Sequence, residues 1–131
     1  MKQSNKKFSL YKSFGFAISG IVYAAKTERN FKIHLAFTTL VIIFCVAFFP
    51  KLTAVDIFML IYAIFAVLCL ELVNTAVEAL ADLYCQNKVD KFDKFAKIAK
   101  DCCAGAVLLA AIQAVIIGAI VAVRVIMRIN G

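Results

Sequence analysis

Apolar positions fall into four blocks along this chain, and their spacing differs from block to block. In the first block Phe8, Tyr11, Phe14, Ile18, Ile21, Val22 and Ala25 recur mostly at steps of three and four residues. That spacing gathers them on one face of a helix, while Lys12, Ser13, Ser19 and Lys26 fall elsewhere on it. A helix with this pattern lies in the membrane interface rather than crossing the bilayer. The second block, FKIHLAFTTLVIIFCVAFF over 31–49, is apolar all round. Its ~19 residues match the roughly 20 that a helix needs to span the hydrocarbon core. Pro50-Lys51 ends it.

The third block covers 54–86. Asp56 opens it, with Thr53 as a plausible cap. Its first half reads as lipid-facing. Its second half carries Glu71, Asn74, Glu78 and Asp82, which calls for water or a protein cavity alongside. A charged connection, QNKVDKFDKFAK, leads into the fourth block over 95–128, whose span runs from about Ile98 to Val125 and has Arg124 and Arg128 at its far end. The pattern predicts an all-α integral membrane protein with a single domain over 1–131. Its parts are an interfacial helix within 1–28 and membrane-associated helices at 31–49, 54–86 and 95–128.

Composition narrows the class. Of 131 residues, 64% are apolar, against about 45–50% in soluble domains, and mean hydropathy is +0.92. A soluble domain this small leaves too much surface exposed to hide that content, so a soluble enzyme is excluded, and so is a disordered chain. One Pro and five Gly are too few turn-makers for an all-β fold. The basic segment 1–7 is too short, and too poor in small-residue cleavage signals, to be expected as a secretory peptide.

Fifteen Lys and Arg against eight Asp and Glu give a net charge of +7. Their distribution predicts anionic lipid rather than nucleic acid as the partner. Basic residues crowd the segment before the first span and the connection between the second and third, while Lys51 stands alone between the first two. This bias predicts a cytoplasmic N-terminus and second connection. The five cysteines, Cys45, Cys69, Cys85, Cys102 and Cys103, form no metal-binding spacing and are expected as free thiols.

The chemistry concentrates in the third block. At about 100° per residue, with Glu71 at zero, Asn74 lies near −60°, Glu78 near −20° and Asp82 near +20°. Four polar groups thus share a narrow face of an otherwise apolar helix. A carboxylate at membrane depth is costly without water, protein or a counter-ion beside it. Acids on adjacent turns also repel, and a hard divalent cation with its preference for oxygen ligands would relieve both problems. The alternative is that these groups only hydrogen-bond one helix to another.

Thr27-Glu28-Arg29-Asn30, and Lys97, Lys100 and Asp101, should lie at the same membrane level as Glu78 and Asp82. Lysines there also serve as snorkelling interfacial residues. His34, the one histidine, is expected to line a helix contact, and Gly105, Ala99, Ala104 and Ala106 are expected to permit close helix packing. There is no P-loop, dinucleotide fingerprint, nucleophile elbow or zinc motif. Phosphoryl chemistry on a lipid head group suits the acids and lysines, and ion translocation through a small oligomeric cation channel stays open beside it.

Three segments carry a resemblance. LELVNTAVEALAD is similar to the Glu-x-x-Asn-[Ser/Thr]-Ala-x-Glu-x-x-x-Asp signature of the prokaryotic diacylglycerol kinase family, and AKDCCAGAVLL resembles a later segment of it. KSFGFAISGI with TERNFKIH resembles the branch found in Gram-positive bacteria, whose characterised members look like undecaprenol kinases. The likeness covers about residues 8–110. It implies a homotrimer with sites between subunits, and transfer of the ATP γ-phosphate to a membrane lipid alcohol with Mg²⁺. Undecaprenol is the implied substrate and diacylglycerol the alternative. By motif position the resemblance makes Glu71 the general base, and Glu28 and Glu78 the ligands of the nucleotide's Mg²⁺. Asn74, Asp82, Lys100 and Asp101 would position the nucleotide. Ser9 stands where the family usually has Arg, and the connection containing Asn87, Lys88 and Asp90 is expected to cap the nucleotide. Glu71 should lie roughly 10 Å deeper than Glu78 at 1.5 Å per residue, so the lipid hydroxyl would sit between them.

Overall fold

A computed structural model of the chain describes residues 10–86 and 93–130. Ser9, Asn87, Lys88 and Asp90 lie outside the described residues. Four α-helices follow in order: α1 (Leu10–Thr27), α2 (Arg29–Ala47), α3 (Ala54–Gln86) and α4 (Lys94–Asn130), with a short 3-10 turn over Phe49–Lys51 between α2 and α3. Helices α2, α3 and α4 are long and apolar enough to cross a membrane, and the chain is a membrane protein.

Each boundary has a local cause. Glu28 adopts an extended backbone (φ −84°, ψ 120°), which separates α1 from α2. Pro50 sits in the 3-10 turn, where a residue lacking an N–H is tolerated. At the start of α3 the expected cap is present and reciprocal. The Asp56 amide donates to Thr53 Oγ1 (3.3 Å), and the Thr53 amide donates to Asp56 Oδ2 (2.9 Å), the geometry of a capping box. Helix α4 starts within one residue of the expected 95. Asp93 Oδ1 accepts from the amides of Phe95 (2.9 Å) and Ala96 (3.1 Å), so α4 begins at Lys94.

The main packing is between α3 and α4, with α2 laid more lightly against α3. Leu60, Val121 and Val125 form the buried centre, with Phe44, Cys45 and Ile117 packed around it. Val67 and Ala81 on α3 and Val107 and Ala110 on α4 are also buried. The expected small-residue contact is displaced. Ala99 and Ala104 are exposed, and a Cβ added to Gly105 would meet nothing within 4 Å. The buried positions on this stretch of α4 are Val107 and Ala110.

On α1 only Ala24 is buried. The apolar stripe forms as expected, yet Tyr11, Phe14 and Ile18 stay uncovered by the rest of the chain. All five cysteines are free thiols.

The 33 residues of α3 rise about 50 Å at 1.5 Å each, more than the ~30 Å hydrocarbon core. Counted from Ala54, Glu71 lies about 26 Å along the helix and Glu78 about 36 Å. A hydrocarbon layer that begins at Ala54 therefore ends between these two acids.

Candidate active site

Glu71 anchors the site. It is 2% exposed, and Asn74, one turn on, is 6% exposed. Both turn inward because the polar face of α3 packs toward α2 and α4 rather than outward. His34 on α2 brings its Nε2 to 3.4 Å from Glu71 Oε1, an ion-pair distance across which no hydrogen bond closes. Glu28 and Glu78 both lie near enough to Glu71 to repel it electrostatically. One turn further, the Asn74 side-chain amide donates to Glu78 Oε1 (3.0 Å). Asn74 Oδ1 is buried with no partner of its own. At Glu28, Thr27 Oγ1 donates to Oε1 (3.1 Å).

A second pair joins α3 to α4. Lys100 Nζ donates to Asp82 Oδ1 at 2.8 Å, and both ends of the pair are substantially exposed. Lys100 is also within electrostatic reach of Glu78, so the two groups adjoin. The seven residues singled out in the sequence thus divide. Glu28, Glu71, Asn74 and Glu78 form an inner cluster, and Asp82 with Lys100 forms an outer pair. Asp101 is exposed on α4; among the described residues no hydrogen bond or ion pair ties it to the others.

The surroundings of Glu71 are of two kinds. A cavity of about 240 Å³ opens beside it, lined by Asn30 and His34 on one side and by Ala104, Val107 and Leu108 on the other. A groove of about 280 Å³, almost wholly apolar, begins at His34 and runs between the helices past Val41, Leu60 and Val67. A further groove of about 380 Å³ shares Val41, Leu60 and Ile64 with it and extends to Phe49. A buried acid thus stands where a lipid-like trough meets a small, largely apolar cavity whose polar lining is Asn30, His34 and Glu71.

Among the described residues no group of three His, Cys, Asp or Glu is arranged to hold a metal. Two carboxylates, Glu28 and Glu78, remain as donors. That set fits Mg²⁺, which commonly takes one or two carboxylates and fills its octahedron with substrate phosphates and water. It does not fit a fully protein-caged ion.

Sequence reasoning missed two features. His34 lines a helix contact as expected, but its partner there, Glu71, was not foreseen. The clamp at the opposite end was missed too. Asp56 is fully buried, with Thr53 Oγ1 donating to it at 2.6 Å. Arg128 Nη1 reaches Oδ2 at 2.7 Å and Arg124 Nη1 reaches Oδ1 at 3.2 Å. Arg128 also donates to the Lys51 carbonyl, and Lys51 Nζ donates to the Arg128 carbonyl, both at 2.9 Å. Cations at the end of α4 and an acid at the start of α3 were the available signal.

Fold and site together define a membrane-spanning helical protein with an acidic, lysine-flanked centre at one end of its spans. The chain belongs to the prokaryotic diacylglycerol kinase family, whose model matches residues 15–122. It is 46% identical over 110 residues to a diacylglycerol kinase of Synechocystis sp., which covers 84% of this chain and 60% of that protein. The chain therefore spans about three-fifths of that relative. It is also 41% identical over 120 residues to an undecaprenol kinase of Bacillus subtilis, covering 89% of this chain and 90% of the relative. No solved structure matches it.

Proposed function

We propose that the protein is an ATP-dependent lipid kinase that transfers the γ-phosphate to a membrane lipid alcohol, undecaprenol in the first instance. The observation that carries this reading is the position of Glu71, buried where an apolar groove meets a small cavity whose polar lining is Asn30, His34 and Glu71 itself. A long lipid can lie in the groove and bring its hydroxyl to the carboxylate without leaving the bilayer. Nucleotide phosphates, being charged, can approach only from the polar end.

In the proposed reaction Glu71 takes the proton from the lipid hydroxyl. The freed oxygen forms its bond to the γ-phosphorus as the bond to the ADP oxygen breaks. Glu28 and Glu78 would hold Mg²⁺, which when bound neutralises the charge on the phosphates. Phosphoryl transfer depends mainly on positioning and on such neutralisation. Asn74 steadies Glu78 through its amide. Lys100 exchanges its Asp82 partner for a phosphate oxygen, and Asp82 and Asp101 orient the nucleotide. The large exposed apolar surface of one chain and the open side of the cluster suit a homotrimer with sites completed by neighbouring subunits. In this reading the N-terminus and the site face the cytoplasm at the bacterial cytoplasmic membrane, and the bias of basic residues supports it.

Undecaprenol ranks ahead of diacylglycerol on the TERNFKIH segment, which resembles the Gram-positive branch, and one relative is an undecaprenol kinase. The relatives give no support to a cation channel. Purified protein with labelled ATP, Mg²⁺ and each lipid in turn tests the reading. Undecaprenol is expected to be labelled faster, and EDTA to abolish labelling. Faster labelling of diacylglycerol overturns the substrate, and labelling of neither lipid overturns the kinase.

A further inference from the structure

Glu71 sits in an uncomfortable place. Its Oε1 is buried without a hydrogen bond, and Glu28 and Glu78 push on it with like charge. The α4 wall of the adjoining cavity offers it only Ala104, Val107, Leu108 and Ala111. A carboxylate in that setting has no reason to keep one orientation unless a donor holds it. The group in place to do so is His34, whose Nε2 lies 3.4 Å away.

The position of His34 is itself fixed. Phe31, three residues earlier and so on the same face of α2, is 2% exposed, which sets the face that turns inward. The imidazole also lines both the apolar groove and the small cavity beside Glu71. A lipid hydroxyl that travels along the groove to Glu71 must therefore pass it.

We propose that His34 is the positioning residue for Glu71. Its Nε2–H closes on Oε1 when the groove is filled and aims the other carboxylate oxygen at the lipid hydroxyl. It acts through Glu71 and touches neither nucleotide nor metal. This inference rests on Glu71 being the base, so its test must separate the two ideas.

Three substitutions at one position do so. In His34→Ala the donor is gone. In His34→Gln the amide nitrogen takes the place of Nε2, and in His34→Asn it takes the place of Nδ1, too short to reach. All are assayed as full chain in bilayers with Mg-ATP and undecaprenol, alongside Glu71→Gln and the double variant Glu71→Gln/His34→Ala. A misplaced reacting group costs up to about 100-fold, so His34→Ala should lose about 10- to 100-fold in kcat with KM for Mg-ATP unchanged. His34→Gln should recover most of the loss and His34→Asn little of it. In the Glu71→Gln background, removal of His34 should cost nothing more, because coupled residues are not additive.

Wild-type kcat in His34→Ala, with Glu71→Gln inactive, overturns the role of His34 and leaves the base intact. So does a Gln variant no better than Asn, or an undiminished second loss in the double variant. Full activity in Glu71→Gln overturns the base itself. If His34→Ala does not fold, the contrast between Gln and Asn decides the matter alone.

Discussion

Two acids are buried in the spans, Asp56 at one end of α3 and Glu71 about four turns further on. They are alike in burial and unlike in company. Asp56 has a hydroxyl, a backbone amide and two guanidinium groups within 3.2 Å. Glu71 has one imidazole at 3.4 Å and two acids nearby. A buried charge held from several elements ties them together, here the start of α3, the preceding turn and the end of α4, even though Asp56 Oδ1 faces Arg124 at 3.2 Å without a hydrogen bond. A buried charge left underserved is a cost that the fold tolerates, and such sites are where function is sought.

That contrast can be broken by experiment. The largest expected effect is at Glu71. Glu71→Gln should lower kcat by about 10²–10⁴-fold, the usual worth of a general base, with thermal unfolding in detergent unchanged. A clear loss of stability instead would make Glu71 structural, like Asp56. Next, Glu78→Gln should cost at least about tenfold and should raise the Mg²⁺ concentration needed for half-maximal rate, since one of two protein oxygens on the ion loses its charge; an unaltered Mg²⁺ dependence would remove Glu78 from the metal site.

At the other end the sign of the experiment reverses. Asp56→Ala should destabilise by about 3 kcal/mol, because two guanidinium groups lose their partner, while kcat per folded molecule stays near wild type. Inactivity in a fully stable Asp56→Ala protein would erase the distinction between the two acids. Smallest of all is the difference between the arginines. Arg128→Ala should cost more than Arg124→Ala, by about 1 kcal/mol, since only Arg128 also holds the Lys51 carbonyl. Equal unfolding midpoints would mean that the turn contact contributes nothing.

The sequence made some of this legible and hid the rest for physical reasons. The spans and the inward face of α3 follow from periodicity, because Glu71, Asn74 and Glu78 repeat at helical spacing in an apolar run. The Thr53–Asp56 cap is local and was readable. The link from Asp56 to Arg124 and Arg128 joins residues far apart in the chain, and spacing carries no signal over that distance. The same holds for His34 and Glu71. The start of α4 was legible to within one residue, since it begins at Lys94 against the expected 95. Gly105 misled because a small residue permits close approach without requiring it.

The distance between the two acids has a further consequence. With Asp56 clamped at one boundary and Glu71 about 26 Å along from Ala54, the molecule contains a gauge of bilayer thickness. A thicker hydrocarbon layer would engulf Glu78 along with Glu71, and a thinner one would wet them both. Were the hydrocarbon layer to begin at Ala54, the chain length of the surrounding lipids would set, through hydrophobic mismatch, whether Glu78 meets water.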